Sequence, residues 1–104
     1  MRLIAGMAEA SYAGIAPHNP LGPISLAACL QLDASIPNFI AQEHTTLGEG
    51  YLKKPFVFKD GFVELPTGPG LGIELDEDAM EDKIDHDWSN PESYLQDDGS
   101  VVDW

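Results

Sequence analysis

The chain has 104 residues, enough for one small domain with a modest core. Hydrophobic residues make up 43% of it, a globular composition, and no apolar run approaches the roughly 20 residues that a bilayer span needs. Eighteen acids against five lysines and arginines give a net charge of -13, of which residues 53–104 carry -10; such a surface repels nucleic acid and anionic membrane and argues against both as partners.

Residues 2–10 place Leu3, Ile4, Met7 and Ala8 on one stripe of a helix. They open too weakly apolar, and meet Glu9 too soon, to be a signal peptide. Ser11 to Ala16 reads as a short buried strand ending at Pro17. His18-Asn19-Pro20-Leu21-Gly22-Pro23 is a loop, because its prolines and glycine exclude helix and central strand. Pro23 is placed to open the next helix. That helix, residues 24–33, is apolar on nearly every side and contains the one cysteine, Cys29, which cannot form an internal disulfide. A cytoplasmic location is the expectation. After Pro37, Asn38 to Glu43 reads as a second strand.

Thr45 to Gly50 is a turn-rich connection. Phe56–Lys59 and Phe62–Leu65 flank Asp60-Gly61, a pair suited to the two positive-φ positions of a type I′ turn, and predict a hairpin. Thr67 to Gly72 is a turn cluster. Asp76 is placed as the N-cap of a helix running to about Ile84, with Glu77 and Asp78 in its favoured first turn. Asp85 to Trp104 is an acidic tail with aromatic anchors at Trp88, Tyr94 and Trp104.

Helix, strand, loop, helix, strand is the rhythm of a parallel α/β architecture. Two parallel strands with open edges expose unpaired backbone groups, and a helix apolar all round needs cover on both faces. Residues 1–50 therefore expect more protein around them than the chain supplies.

His18 starts a strand-to-helix loop. In (β/α) barrels the C-terminal strand ends face the active site, and a histidine there can act as general base near neutral pH. Position alone favours the plainer alternative, an exposed loop histidine. Glu43 sits at the equivalent end of the second strand, where it either hydrogen-bonds a substrate or marks the point at which the strand meets water. His44 follows, but strand neighbours point to opposite sides, so the two do not share a site. The acids from Glu74 to Asp87 lack the glycine and ligand spacing of a calcium loop and read as a solvated face. Gly68 to Gly72 matches neither a dinucleotide fingerprint nor a phosphate loop.

Several stretches together carry a resemblance. Ile4 to Ala10, Ala16-Pro17-His18-Asn19-Pro20-Leu21-Gly22-Pro23-Ile24, Gln42-Glu43, and Lys54-Pro55-Phe56 through Pro69-Gly70-Leu71-Gly72-Ile73-Glu74 occur in this order in galactonate dehydratases. The ending, Asp87 to Pro91 and Ser100 to Trp104, is similar too. The chain thus resembles galactonate dehydratases of the enolase superfamily, which are mandelate racemase-like. The resemblance implies the C-terminal end of an enolase-type (β/α) barrel, its last two strand units in residues 1–50, followed by the C-terminal part of the capping domain in residues 51–104. It implies magnesium-dependent removal of water from an aldonic acid to give a 2-keto-3-deoxy acid, with His18 as general base and Glu43 as stabiliser of the intermediate. The family's three carboxylate metal ligands, its second histidine and the aspartate behind its base have no match in these residues. A full barrel needs upwards of roughly 250 residues.

The expectation is a dehydratase fragment that neither binds magnesium nor turns over galactonate alone, and that needs the missing N-terminal part or self-association. The alternatives are a small acidic interaction module built from a barrel end, or a functionless remnant.

Overall fold

The computed structural model describes residues 1–83. In chain order these form α1 (Arg2–Ala10), α2 (Pro23–Asp33), a two-stranded antiparallel hairpin of β1 (Phe58–Lys59) and β2 (Phe62–Val63), and a 3-10 turn over Asp78–Lys83. The tail anchors Trp88, Tyr94 and Trp104, and the expected helix end at Ile84, lie outside the described residues.

Both helices stand where the apolar spacing put them. Pro23 occupies the first turn of α2, where its missing N–H costs nothing. The burial of α1 departs from its sequence pattern. Ala5 is its one buried residue, while Leu3, Ile4 and Met7 are exposed. The α2 helix buries Pro23, Leu26, Ala27, Leu30 and Asp33 and leaves Ile24 exposed. Leu26, Ala27 and Leu30, with Ile36 and Leu52, make up most of the small core.

The strand expected over Ser11–Ala16 is corrected. Tyr12 N–H donates to Glu9 O at 2.9 Å and Ala13 N–H to Ala8 O at 2.9 Å, with Tyr12 at φ 58°. That pair of bonds is a Schellman cap, and it spends Ser11–Ala13 on closing α1. Ile15 alone pairs with the second segment, in a parallel bridge to Phe39. Ile15 N–H donates to Asn38 O at 2.8 Å and Ile40 N–H to Ile15 O at 2.9 Å. The parallel sense is as expected, but the full strand over Asn38–Glu43 is not present. A ladder needs a partner along its length, and among the described residues Ile15 is the partner recorded.

Asn38 adds a clamp, donating from its amide to Ala5 O at 3.0 Å and Ala13 O at 2.9 Å. The hairpin turns at Asp60 and Gly61 with φ of 53° and 86°, both positive as a type I′ turn requires. An antiparallel bridge joins Leu52 to Leu75. Asp76 does cap, its carboxylate accepting Ala79 N–H at 3.2 Å, but the element it opens is 3-10 and buries no residue. Six residues without an apolar face to bury gain little from a regular α-helix.

Tyr12 holds a left-handed conformation with its side chain fully exposed. A side chain there costs roughly 1–2 kcal/mol that glycine avoids, against a glycine entropy cost of roughly 0.5–1 kcal/mol. Tyr12→Gly is therefore expected to raise stability by about 0.5–1 kcal/mol in urea unfolding. A loss of stability would show that the ring is held by packing.

Candidate functional site

The loop from Pro17 to Pro23 is stitched to Gln42–Thr45 by side chains of the second segment. Gln42 donates to Pro17 O at 3.3 Å and Thr45 to Leu21 O at 3.1 Å. Between them Asn19 N–H donates to Glu43 Oε2 at 2.7 Å. A bond to a carboxylate is worth about 1.5–3 kcal/mol, two- to threefold more than a neutral one. Asn19 is 1% exposed, and its side-chain amide has no partner among the described residues.

This stitching sets the two expected site residues together. His18 Nε2 lies 3.6 Å from Glu43 Oε2, with the side chains 79% and 50% exposed. The distance is too long for a hydrogen bond but close enough for the carboxylate to stabilise an imidazolium. An open imidazole beside a partly open carboxylate can take a proton from a molecule above it and offer a hydrogen bond to the same molecule. Asn19, Gln42 and Thr45 carry the geometry without standing out in the sequence. Their signal was faint: polar side chains clustered at a proline-rich loop and a strand end.

His44 turns elsewhere, as the alternation of an extended chain requires. Its ring is 6.2 Å from that of Phe58. There it lines a cavity of about 420 Å³ between α2, Phe39–Gln42 and the hairpin residues Phe58 and Phe62. Asp33, the last residue of α2, lines the same cavity; it is 7% exposed and neither of its oxygens has a hydrogen-bond partner. Burial pushes its carboxyl up to about 6, since a low-dielectric surrounding disfavours the charged form. Burial first, and Asp33 second, push the Cys29 thiol up, with a hydrogen bond to Ser25 opposing them. A raised thiol is a poor nucleophile near neutral pH.

Among the described residues, no three carboxylate, imidazole or thiolate groups converge into a metal-binding cluster. His18 and Glu43 are two groups, and Glu43 Oε2 is engaged by Asn19. Residues 1–83 do not by themselves fit a magnesium shell, so no chemistry here is routed through a metal. No helix among them is long and apolar enough to cross a membrane.

The model of the enolase C-terminal domain-like family matches residues 1–79. The chain belongs to that family. It is 41% identical to the D-galactonate dehydratase of Xanthomonas oryzae pv. oryzae (strain PXO99A), over 97% of this chain and 29% of that protein. Among solved structures, an enolase from Agrobacterium radiobacter with bound sodium and L-malate superimposes with a TM-score of 0.79. It is 34% identical over 97% of this chain and 30% of its own. A mandelate racemase/muconate lactonizing enzyme from Sulfitobacter sp. gives a TM-score of 0.65 and 42% identity, over 74% of this chain and 20% of its own. The chain thus spans less than a third of the length of these relatives.

Two measurements check the site's electrostatics. Removing the Glu43 carboxylate by Glu43→Ala should speed exchange of the Asn19 amide hydrogen by about tenfold to a hundredfold. The Ile40 amide, held by Ile15 O, should keep its rate and so separates local release from global loss. For Asp33, the folded value of about 6 lies above the usual unfolded value of about 3.9. The folded state then binds more protons between those values, so stability falls as pH rises from about 4 to about 6. Asp33→Asn should remove that part of the fall, leaving the variant the more stable above pH 6, in urea midpoints measured across the range. Parallel pH profiles for the two proteins would contradict the burial of an unpaired acid.

Proposed function

We propose that these residues are part of a sugar-acid dehydratase of the galactonate type, in which His18 is the general base and Glu43 stabilises the intermediate. The observation that carries it is the pairing of His18 Nε2 with Glu43 Oε2 at 3.6 Å, both side chains open, in a chain 41% identical to a D-galactonate dehydratase. The bound L-malate of the Agrobacterium radiobacter relative is a 2-hydroxy acid, and an aldonic acid presents the same hydroxy-carboxylate end.

His18 takes the proton from the carbon next to the substrate carboxylate. That C–H bond breaks, its electron pair moves toward the carboxylate, and hydroxide leaves the neighbouring carbon as water. The enol that remains rearranges to a 2-keto-3-deoxy acid. Glu43 Oε2 accepts Asn19 N–H, which leaves Oε1 to accept a hydrogen bond from a hydroxyl of the bound intermediate and hold it in place. The imidazolium formed on His18 is stabilised by its nearness to Glu43.

In this reading residues 1–50 belong to the barrel and 51–104 to the capping segment, and the protein acts in the cytoplasm. Magnesium and the acid that assists hydroxide departure would be supplied by polypeptide outside these residues.

The test is a chimera in which residues 1–104 replace the matching stretch of the Xanthomonas oryzae enzyme. Galactonate turnover should survive, His18→Asn should lower kcat by about 10²–10⁴, and Glu43→Leu by about 10²–10³. The 104-residue chain alone should show no turnover. A chimera active with His18→Asn, or an isolated chain that dehydrates galactonate, would sink the proposal.

A further inference from the structure

Ile40 N–H to Ile15 O is the last backbone-to-backbone bond between the two segments of the site among the described residues. Pro17 and Pro20 have no N–H to donate, and Asn19 N–H is taken by the Glu43 side chain. His18 and Glu43 therefore stand beyond the point at which one backbone fixes the other.

Side chains join the segments there, and their reach differs. Thr45 grips Leu21 O at 3.1 Å, on the far side of His18, and Glu43 is itself one of the pair. Gln42 reaches the peptide that carries the imidazole. Its Nε2 donates to Pro17 O at 3.3 Å and to Glu43 O at 2.5 Å. A primary amide has two N–H donors, so one group serves both the carbonyl before His18 and the carbonyl of Glu43. The opposite orientation would set its oxygen against both carbonyls, so this bonding fixes which way the amide faces. Gln42 lines the cavity beside α2, while its neighbour Glu43 turns to His18. It ties the two backbones without standing over the pair.

We propose that Gln42 is a positioning residue for the dehydration, holding the backbones of base and stabiliser at a fixed separation. This role rests on the reading of His18 as base and Glu43 as stabiliser. Losing the amide frees the Pro17–His18 peptide to move against Glu43, and a displacement of about 1 Å at a reacting group can cost about 10²-fold in rate. Because Gln42 acts through the pair and not on the substrate, the loss falls on kcat and not on KM.

The test compares two glutamines in the chimera with the Xanthomonas oryzae enzyme. Gln31 also donates from its amide to a proline carbonyl, Pro66 O at 2.9 Å, but away from the pair. Gln42→Met keeps the side-chain length and removes both donors. It should lower kcat about tenfold to a hundredfold with KM within about twofold. Gln31→Met should leave both constants within about twofold. In the 104-residue chain, Gln42→Met should also speed exchange of the Asn19 amide hydrogen about tenfold, while the Ile40 amide keeps its rate. That measurement decides the matter where the chimeric variant fails to fold. An unchanged kcat, a loss confined to KM, an equal loss in Gln31→Met, or an Asn19 amide that keeps its original rate overturns the proposal. With His18→Asn inactive, each of these leaves the dehydratase reading standing. A chimera still active with His18→Asn removes that reading, and the role of Gln42 with it.

Discussion

Ile15 and Phe39 are separated by 24 positions in the chain and joined by two backbone hydrogen bonds, Ile15 N–H to Asn38 O and Ile40 N–H to Ile15 O. This short parallel bridge fixes the relative position of the two segments that follow it. From Ile15 the chain needs three residues to reach His18, and from Phe39 four to reach Glu43. The two side chains that face each other at 3.6 Å are therefore held from below by the backbone. The Asn19–Glu43 bond then locks the loop above the bridge. Asn38 anchors the same bridge from the other side by tying α1 to it. A slip of one residue in the pairing would turn Glu43 away from the loop, since extended neighbours face opposite ways.

How much of this was legible in the sequence depended on how local the cause was. The hairpin turn could be read because Asp60-Gly61 carries its own conformational preference. Asp76 could be read as a cap because its partner, Ala79, is three residues away. The strand over Ser11–Ala16 failed for a local reason too, but a hidden one. Tyr12 is not a residue whose chemistry announces a left-handed turn, so the cap that ends α1 looked like extended chain. The second strand failed for a non-local reason, because its ladder depends on partners that the described residues do not contain.

The site shows the same division. The sequence marked His18 and Glu43 as polar groups at the ends of two expected strands; the structure keeps one bridge of those strands and sets the two side chains 3.6 Å apart. That Asn19, Gln42 and Thr45 hold them there was not marked, because those contacts span 24 or 25 positions and no short pattern encodes them. The exposure of Leu3, Ile4 and Met7 was invisible for a related reason. A helical stripe states which face is apolar, and only the surrounding protein decides whether that face is covered.

The segment from Phe39 to His44 lines two places at once, the open His18–Glu43 pair and the cavity beside α2. Glu43 faces the exposed imidazole of His18, where water screens both groups and the carboxylate can exchange partners with a bound molecule. His44 faces Phe58 and lines the cavity that Asp33 also lines, where burial pushes the unpaired Asp33 carboxyl up. Adjacent residues thus line different places on opposite sides of one stretch of backbone. Gln42 lines that cavity and also donates to Pro17 O, immediately before His18, so a single side chain touches both places.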